Sequence, residues 1–193
     1  MRAHFRAIGF GALSVFLVAY PAAAGMSGAI FTTKQDGYFV NGNVYDAAEE
    51  VYLNGGPRAN QSCTAAGLPD GPYYFQVTDP PGKVLISGDD IDQRKVRVEN
   101  GLIVEYLGLP LTAHATSRGP CDAGAEDPTD LTVQLLPPDV PNLGTPNNGG
   151  EYKVWLTPVG RYNCCGGSFG FAPSYSKTDN FKVQPPEGGG IPD

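Results

Sequence analysis

Histidine is nearly missing from this chain: 193 residues hold two, His4 and His114. That scarcity excludes zinc sites built on several imidazoles and leaves little for histidine-based acid–base chemistry. Long apolar runs are missing beyond residue 20. Nothing later in the chain therefore offers the ~20 apolar residues of a membrane helix. Helical periodicity is missing too; the best stretch, Tyr45 to Val51, is shorter than a stable helix needs. Basic side chains are the minority, with Lys+Arg 13 against Asp+Glu 20 and a net charge of −7. An acidic chain repels phosphate backbones and anionic lipid surfaces, so nucleic acid is not an expected partner.

What is present begins with an export signal. Met1 to Arg6 is short and basic, Ala7 to Tyr20 is apolar, and Ala22-Ala23-Ala24 supplies the small residues of a cleavage site. This pattern predicts a signal peptide over 1–24 with cleavage after Ala24. No cysteine sits there, so no lipid attachment is expected. The remaining 169 residues keep one histidine, His114, and eleven basic against twenty acidic side chains. That length suits one domain with a real core, expected over 25–184. Residues 185–193 (PPEGGGIPD) read as a disordered Pro/Gly-rich tail. The expected location is secreted, extracellular or periplasmic, with no membrane insertion after cleavage.

All four cysteines, Cys63, Cys121, Cys164 and Cys165, fall after the signal. An even count in an exported chain reads as disulfides, and three pairings are possible. Joining Cys164 to Cys165 closes an eight-membered ring. The favoured reading therefore bonds Cys63 and Cys121 each to one of the adjacent pair. The alternative is Cys63–Cys121 with a vicinal bond. Metal binding is not expected, because two adjacent sulfurs present poorly to one tetrahedral ion.

Alternation marks the strands. Tyr73, Phe75 and Val77 share one face of a segment whose other face carries Tyr74, Gln76 and Thr78. Tyr152, Val154 and Leu156 alternate with Lys153, Trp155 and Thr157. Leu131, Val133 and Leu135 alternate with Thr132 and Gln134, and Val96 and Val98 with Lys95, Arg97 and Glu99. Further candidates are 29–33, 38–45, 51–53, 84–87, 102–107 and 181–183. Pro69-Asp70-Gly71 and Asp79-Pro80-Pro81-Gly82 read as turns, and Asn100-Gly101 is a strong hairpin signal. Two long polar loops, 113–130 and 137–150, interrupt the pattern. The expected fold is all-β: a Greek-key β-sandwich of about eight to ten strands, in the manner of immunoglobulin-like domains.

Four runs carry a resemblance. They are Gly28-Ala29-Ile30-Phe31-Thr32-Thr33, the block Gly67 to Pro80 (GLPDGPYYFQVTDP), Glu151-Tyr152-Lys153-Val154-Trp155, and Ser176 to Val183 (SKTDNFKV). Together they resemble a group of uncharacterised secreted bacterial β-sandwich proteins, over most of residues 28–183. The segment 67–88 is also similar to the turn-and-strand element of prealbumin-like domains of the collagen-adhesin B type. That resemblance implies a Greek-key sandwich with a surface or structural role and transfers no catalytic residue. It also raises the isopeptide bond of such stalk domains, for which Lys34, Asn180 and Glu105 are the candidates.

Gly166-Gly167-Ser168-Phe169-Gly170 matches the G-x-S-x-G elbow of hydrolases. That elbow needs a helix after it and a later histidine, and neither follows. Asp89, Asp90, Asp92, Glu99 and Glu105 are the carboxylates left for acid–base work, and no spacing among them selects a glycosidase pair. Asp89, Asp90 and Asp92, or Asp122, Glu126, Asp127 and Asp130, could hold calcium through oxygen, but neither run matches an EF-hand loop. Tyr74 and Trp155 sit on the polar faces of their strands. If those strands are neighbours, the two rings would form a platform for sugar rings, with Gln76 and Lys153 offering hydrogen bonds.

The sequence thus predicts a non-catalytic secreted module with no cofactor. Its role would be binding or structural, at the cell envelope or in the extracellular matrix. Its partner would be a cell-surface protein or a polysaccharide. The rivals are a carbohydrate-binding module and a carboxylate-dependent hydrolase.

Overall fold

A computed structural model describes residues 26–37, 42–58, 61–122, 130–138 and 150–184. The expected signal segment, the expected tail, and residues 123–129 and 139–149 of the two long loops lie outside the described residues. Within them the chain forms ten strands. These are β1 (Ala29–Thr33), β2 (Val44–Tyr45), β3 (Tyr52–Gly56), β4 (Gly71–Thr78), β5 (Lys95–Glu99), β6 (Leu102–Tyr106), β7 (Thr116–Arg118), β8 (Leu131–Gln134), β9 (Glu151–Pro158) and β10 (Lys177–Val183). They make two sheets, one ordered β1-β3-β8-β7 and the other β2-β10-β9-β4-β5-β6. The protein is therefore mostly β, as its alternation predicts. Among the described residues no helix is long and apolar enough to cross a membrane.

β4 and β9 run antiparallel in the middle of the larger sheet, with Phe75 opposite Leu156 and Val77 opposite Val154. Their apolar sets, Tyr73, Phe75, Val77, Tyr152, Val154 and Leu156, enter one core with Ile30, Leu53 and Val133 of the smaller sheet and Leu135 just beyond β8. Each such side chain contributes about 1.5–3 kcal/mol on burial, so the shared core holds the two sheets together. A polar strap crosses between them: Asp179 of β10 accepts the Thr32 backbone N–H of β1 at 2.9 Å. Burial pushes the Asp179 carboxyl up, against the hydrogen bonds from Thr32 and Asn180 that favour its charge.

The Asn100-Gly101 hairpin forms between β5 and β6, with both residues at positive φ (51° and 83°) as a type I′ turn requires. Gly67 lies against this turn. A Cβ there would stand 2.2 Å from the Gly101 carbonyl oxygen. The close approach lets Leu68 N–H bond that oxygen at 3.0 Å.

Three expectations change. Of the expected strand 38–45, Val44–Tyr45 pairs parallel with β10, and 38–41 lies outside the described residues. The expected strand 84–87 reduces to one bridge, Thr78 to Leu85. There the N–H groups of Ile86 and Ser87 both turn to the Val77 carbonyl, which ends the ladder. The loop 113–130 holds a short strand, β7, whose Thr-Ser-Arg sequence carries no apolar alternation.

The favoured cysteine pairing is also overturned. Cys63 bonds Cys121, with Cα atoms 5.6 Å apart, and Cys164 and Cys165 are free and exposed. Asp130 explains the choice. Its carboxylate accepts the Cys121 N–H and the Asn54 side-chain amide, each at 2.9 Å. Cys121 is thereby tied to β3, and the loop that leaves β3 carries Cys63. The adjacent pair sits instead in the loop between β9 and β10.

Candidate functional site

The larger sheet turns a polar face away from the core. Tyr74, Gln76 and Thr78 of β4, Glu151, Lys153, Trp155 and Thr157 of β9, and Thr178, Asn180 and Lys182 of β10 share it by alternation. The two strands are neighbours, with Gln76 opposite Trp155 and Tyr74 opposite Thr157 in register. Half of this face is roofed, however, by the segment that follows β9.

The roof closes over the expected platform. Tyr162 meets Tyr74 edge-on at 5.1 Å and packs on Phe171. Gln76 is buried and donates its side-chain N–H to the Ser168 carbonyl at 2.9 Å. The Trp155 indole, 4 % exposed, donates Nε1–H to Thr78 Oγ1 at 2.9 Å. A Cβ at Gly82 would stand 3.0 Å from this indole and 3.2 Å from Ser168 Oγ, so the turn at Gly82 and the roof seal the ring from two sides. Lys153 Nζ lies 5.4 Å over the Trp155 ring, a cation–π contact. Tyr74, Gln76, Lys153 and Trp155 are thus brought together, but as a packed layer with Trp155 and Gln76 inside it rather than as an open shelf. The signal was available in the residues themselves, because a buried indole seeks an acceptor and Thr78 sits one rung away.

Ser168 and Phe169 hold positive φ (48° and 56°), an uncommon conformation for residues with side chains. The hydrolase-like motif is therefore the roof's tight turn, and what it offers β4 is the Ser168 carbonyl.

The other half of the face is open. A groove of about 600 Å³ lies over β9, β10 and β2, with Asn43 and Val44 on one side and Pro80 on the other. Its floor presents Glu151, Thr178, Asn180 and Lys182. Lys182 Nζ pairs with Glu151 Oε1 at 2.9 Å, both half-exposed. Val44 adds an exposed apolar edge. This lining can hydrogen-bond a polar ligand and sets one positive beside one negative charge. Sequence reasoning missed it because β2 and its parallel seat on β10 carry no motif.

A second cluster lies inside the core. His114 is 1 % exposed. Its Nδ1 stands 2.6 Å from the Gln134 carbonyl, which can only accept, so Nδ1 donates. Its Nε2 stands 2.9 Å from Asp89 Oδ2. Phe75 meets the ring edge-on and Tyr106 lies tilted beside it. Arg94, itself buried, brings Nε to 3.6 Å from Asp89 Oδ1, an ion pair rather than a hydrogen bond. Burial pushes the Arg94 guanidinium down and the Asp89 charge opposes it. Burial likewise pushes the Tyr106 phenol up to about 12, and its O–H donates to the Gln93 carbonyl at 2.5 Å.

The remaining carboxylates are scattered. Glu105 pairs with Arg97 across the β5–β6 hairpin. Lys34 pairs with Glu50 at 3.7 Å, and Asn180 points into the groove, so the isopeptide candidates are not brought together. No cluster of three or more metal-ligating side chains occurs among the described residues. Glu126 and Asp127 of the calcium reading lie outside them, and Asp130 is committed to Asn54 and Cys121. No family model, curated protein or solved structure matches the chain.

Proposed function

We propose that this chain is an exported, non-catalytic β-sandwich module with a binding or structural role at the cell envelope or in the extracellular matrix. The observation that carries the reading is His114. Both of its ring nitrogens are taken by oxygens of the fold, Gln134 O and Asp89 Oδ2, and the ring is enclosed by Phe75 and Tyr106. The one histidine of the expected mature chain therefore serves the packing of two sheets. Asp89, the nearest carboxylate, is spent on the same contact. The Cys63–Cys121 bond supports an oxidising compartment, in keeping with the signal read at residues 1–24.

The strand order β9-β4-β5-β6 supports a Greek key. Three strands follow in sequence, and a fourth returns through the other sheet to lie beside the first. This order is compatible with the prealbumin-like resemblance at 67–88.

A carbohydrate ligand is the second reading, favoured by the open groove. Asn180, Thr178, Lys182 and Glu151 offer donors and acceptors side by side on rigid strands, as polysaccharide hydroxyls require. The test is a glycan array with the secreted protein, repeated with Asn180→Ala and Lys182→Ala. Binding lost in both variants at an unchanged melting temperature supports the polysaccharide partner. An array blank for the wild type removes it and leaves the structural reading. Turnover of any glycan, abolished by Asp89→Asn in protein that stays folded, would overturn the non-catalytic reading.

A further inference from the structure

The roof carries two adjacent thiols that nothing in the fold consumes. Asn163-Cys164-Cys165-Gly166 is a four-residue turn, closed by Gly166 N–H to the Asn163 carbonyl at 2.8 Å. The Asn163 side chain accepts the Cys165 N–H at 3.3 Å, and the Asn163 N–H bonds the Gly170 carbonyl at 3.0 Å. The turn is thus held at its base, with the two cysteines at its two central positions. Both are exposed, and their sulfurs stand 3.3 Å apart.

We propose that Cys164 and Cys165 are a reversible two-electron redox site. They close to a vicinal disulfide and reopen, while Cys63–Cys121 stays closed. The oxidant is a disulfide, either a small one such as oxidised glutathione or that of a thiol oxidoreductase. One cysteine thiolate attacks it, forming a mixed disulfide and expelling one thiolate. The neighbouring sulfur then attacks the mixed disulfide and expels the second. Two protein thiols are oxidised to one S–S bond, one external disulfide is reduced to two thiols, and the two protons pass to the departing thiolates.

Three observations support this. The first is proximity: the turn already holds the sulfurs near contact, so the second attack is intramolecular and outruns further external attack. The second is access, since both sulfurs face solvent. The third is contrast within one molecule. Consecutive Cα atoms are about 3.8 Å apart across a trans peptide, shorter than the usual ~4.4–6.8 Å across a disulfide. A vicinal bond is therefore strained, and strained exposed disulfides are the labile ones. Cys63 and Cys121 have Cα atoms 5.6 Å apart, within the ordinary range, and close a long loop.

The test equilibrates the folded protein in glutathione buffers of stepped potential, quenches with acid, alkylates free thiols and maps them by mass spectrometry. The 164–165 peptide should pass from two labels to none at a single two-electron midpoint, with Cys63–Cys121 unlabelled throughout. Cys164→Ser should trap glutathione on Cys165, and Cys165→Ser should trap it on Cys164. The proposal is overturned if the pair remains alkylated in the most oxidising buffer. It is equally overturned if each wild-type sulfur accumulates glutathione, if covalent dimers form instead, or if the pair opens only together with Cys63–Cys121.

Discussion

Replacing His114 by alanine tests the account of the core most directly. The substitution opens a cavity between the Phe75 and Tyr106 rings, removes the donor at the Gln134 carbonyl, and leaves Asp89 facing Arg94 alone. An unsatisfied buried polar group costs about 1–3 kcal/mol. Truncating a large, fully buried side chain to alanine costs about 2–5 kcal/mol. These losses overlap in space and do not add, so the expected total is about 3–5 kcal/mol, a large share of a domain's ~5–15 kcal/mol. Urea unfolding followed by far-ultraviolet circular dichroism measures it as a lower midpoint at an unchanged slope. Asp89→Asn should cost less than Asp89→Ala, because the amide keeps the side-chain volume and a hydrogen-bonding group beside Nε2. The paired replacement of His114 and Asp89 by apolar residues of similar volume should recover little, because it leaves the buried Arg94 guanidinium without its carboxylate. A loss below about 1 kcal/mol for His114→Ala would refute the reasoning, since surface changes alone reach about half of that.

Other expectations follow from the same contacts. Cys63→Ser should lower stability by about 4 kcal/mol on the chain-entropy estimate, given a sequence separation of 58 residues; thermal melts under oxidising and reducing conditions should differ far less for the variant than for the wild type. Asp179 gives a pH dependence of fixed sign. Its folded carboxyl is raised above the ordinary 3.8, so the folded state holds that proton more tightly than the unfolded one. Its contribution to stability therefore grows as pH falls from the raised value toward 3.8 and is lost as pH rises through the raised value. Asp179→Asn should accordingly gain melting temperature over wild type near pH 7 and lose that gain toward pH 4; a gain independent of pH would contradict the burial argument. Gly67→Ala should destabilise by about 1–3 kcal/mol, read in a urea titration, because its Cβ would collide with the Gly101 carbonyl oxygen.

The strands with an apolar face were readable in the sequence. Tyr73-Phe75-Val77, Tyr152-Val154-Leu156 and Val96-Val98 each repeat every second residue, and each set is buried in the core as that period demands. The Asn-Gly hairpin was readable because two positive φ values in succession admit few residue types. β7 was not, because an edge strand of Thr-Ser-Arg buries nothing and forms only through its neighbour β8. The cysteine connectivity was not, because it follows from Asp130 tying Cys121 to β3, a contact made across 76 residues at Asn54. At the polar face, alternation put Tyr74 with Gln76 and Lys153 with Trp155 on the outer faces of their own strands, and left open whether those strands are neighbours. It could not show that residues 159–175 fold back over part of them, because a roof of glycine turns and scattered aromatics has no period. The groove was invisible for a related reason. Its wall, Asn43 and Val44, is set by a two-residue strand lying parallel to β10.

Trp155 is the chain's one tryptophan. It sits where β9, the Thr78 hydroxyl, the Gly82 turn and the roof all meet. Its fluorescence is therefore an unlabelled gauge of a single joint. Detachment of the roof would wet the indole and red-shift its emission while the backbone signal of the sheets held steady. Two optical signals that part company during denaturation would reveal the covering segment leaving before the core melts, in unmodified protein and without a placed dye.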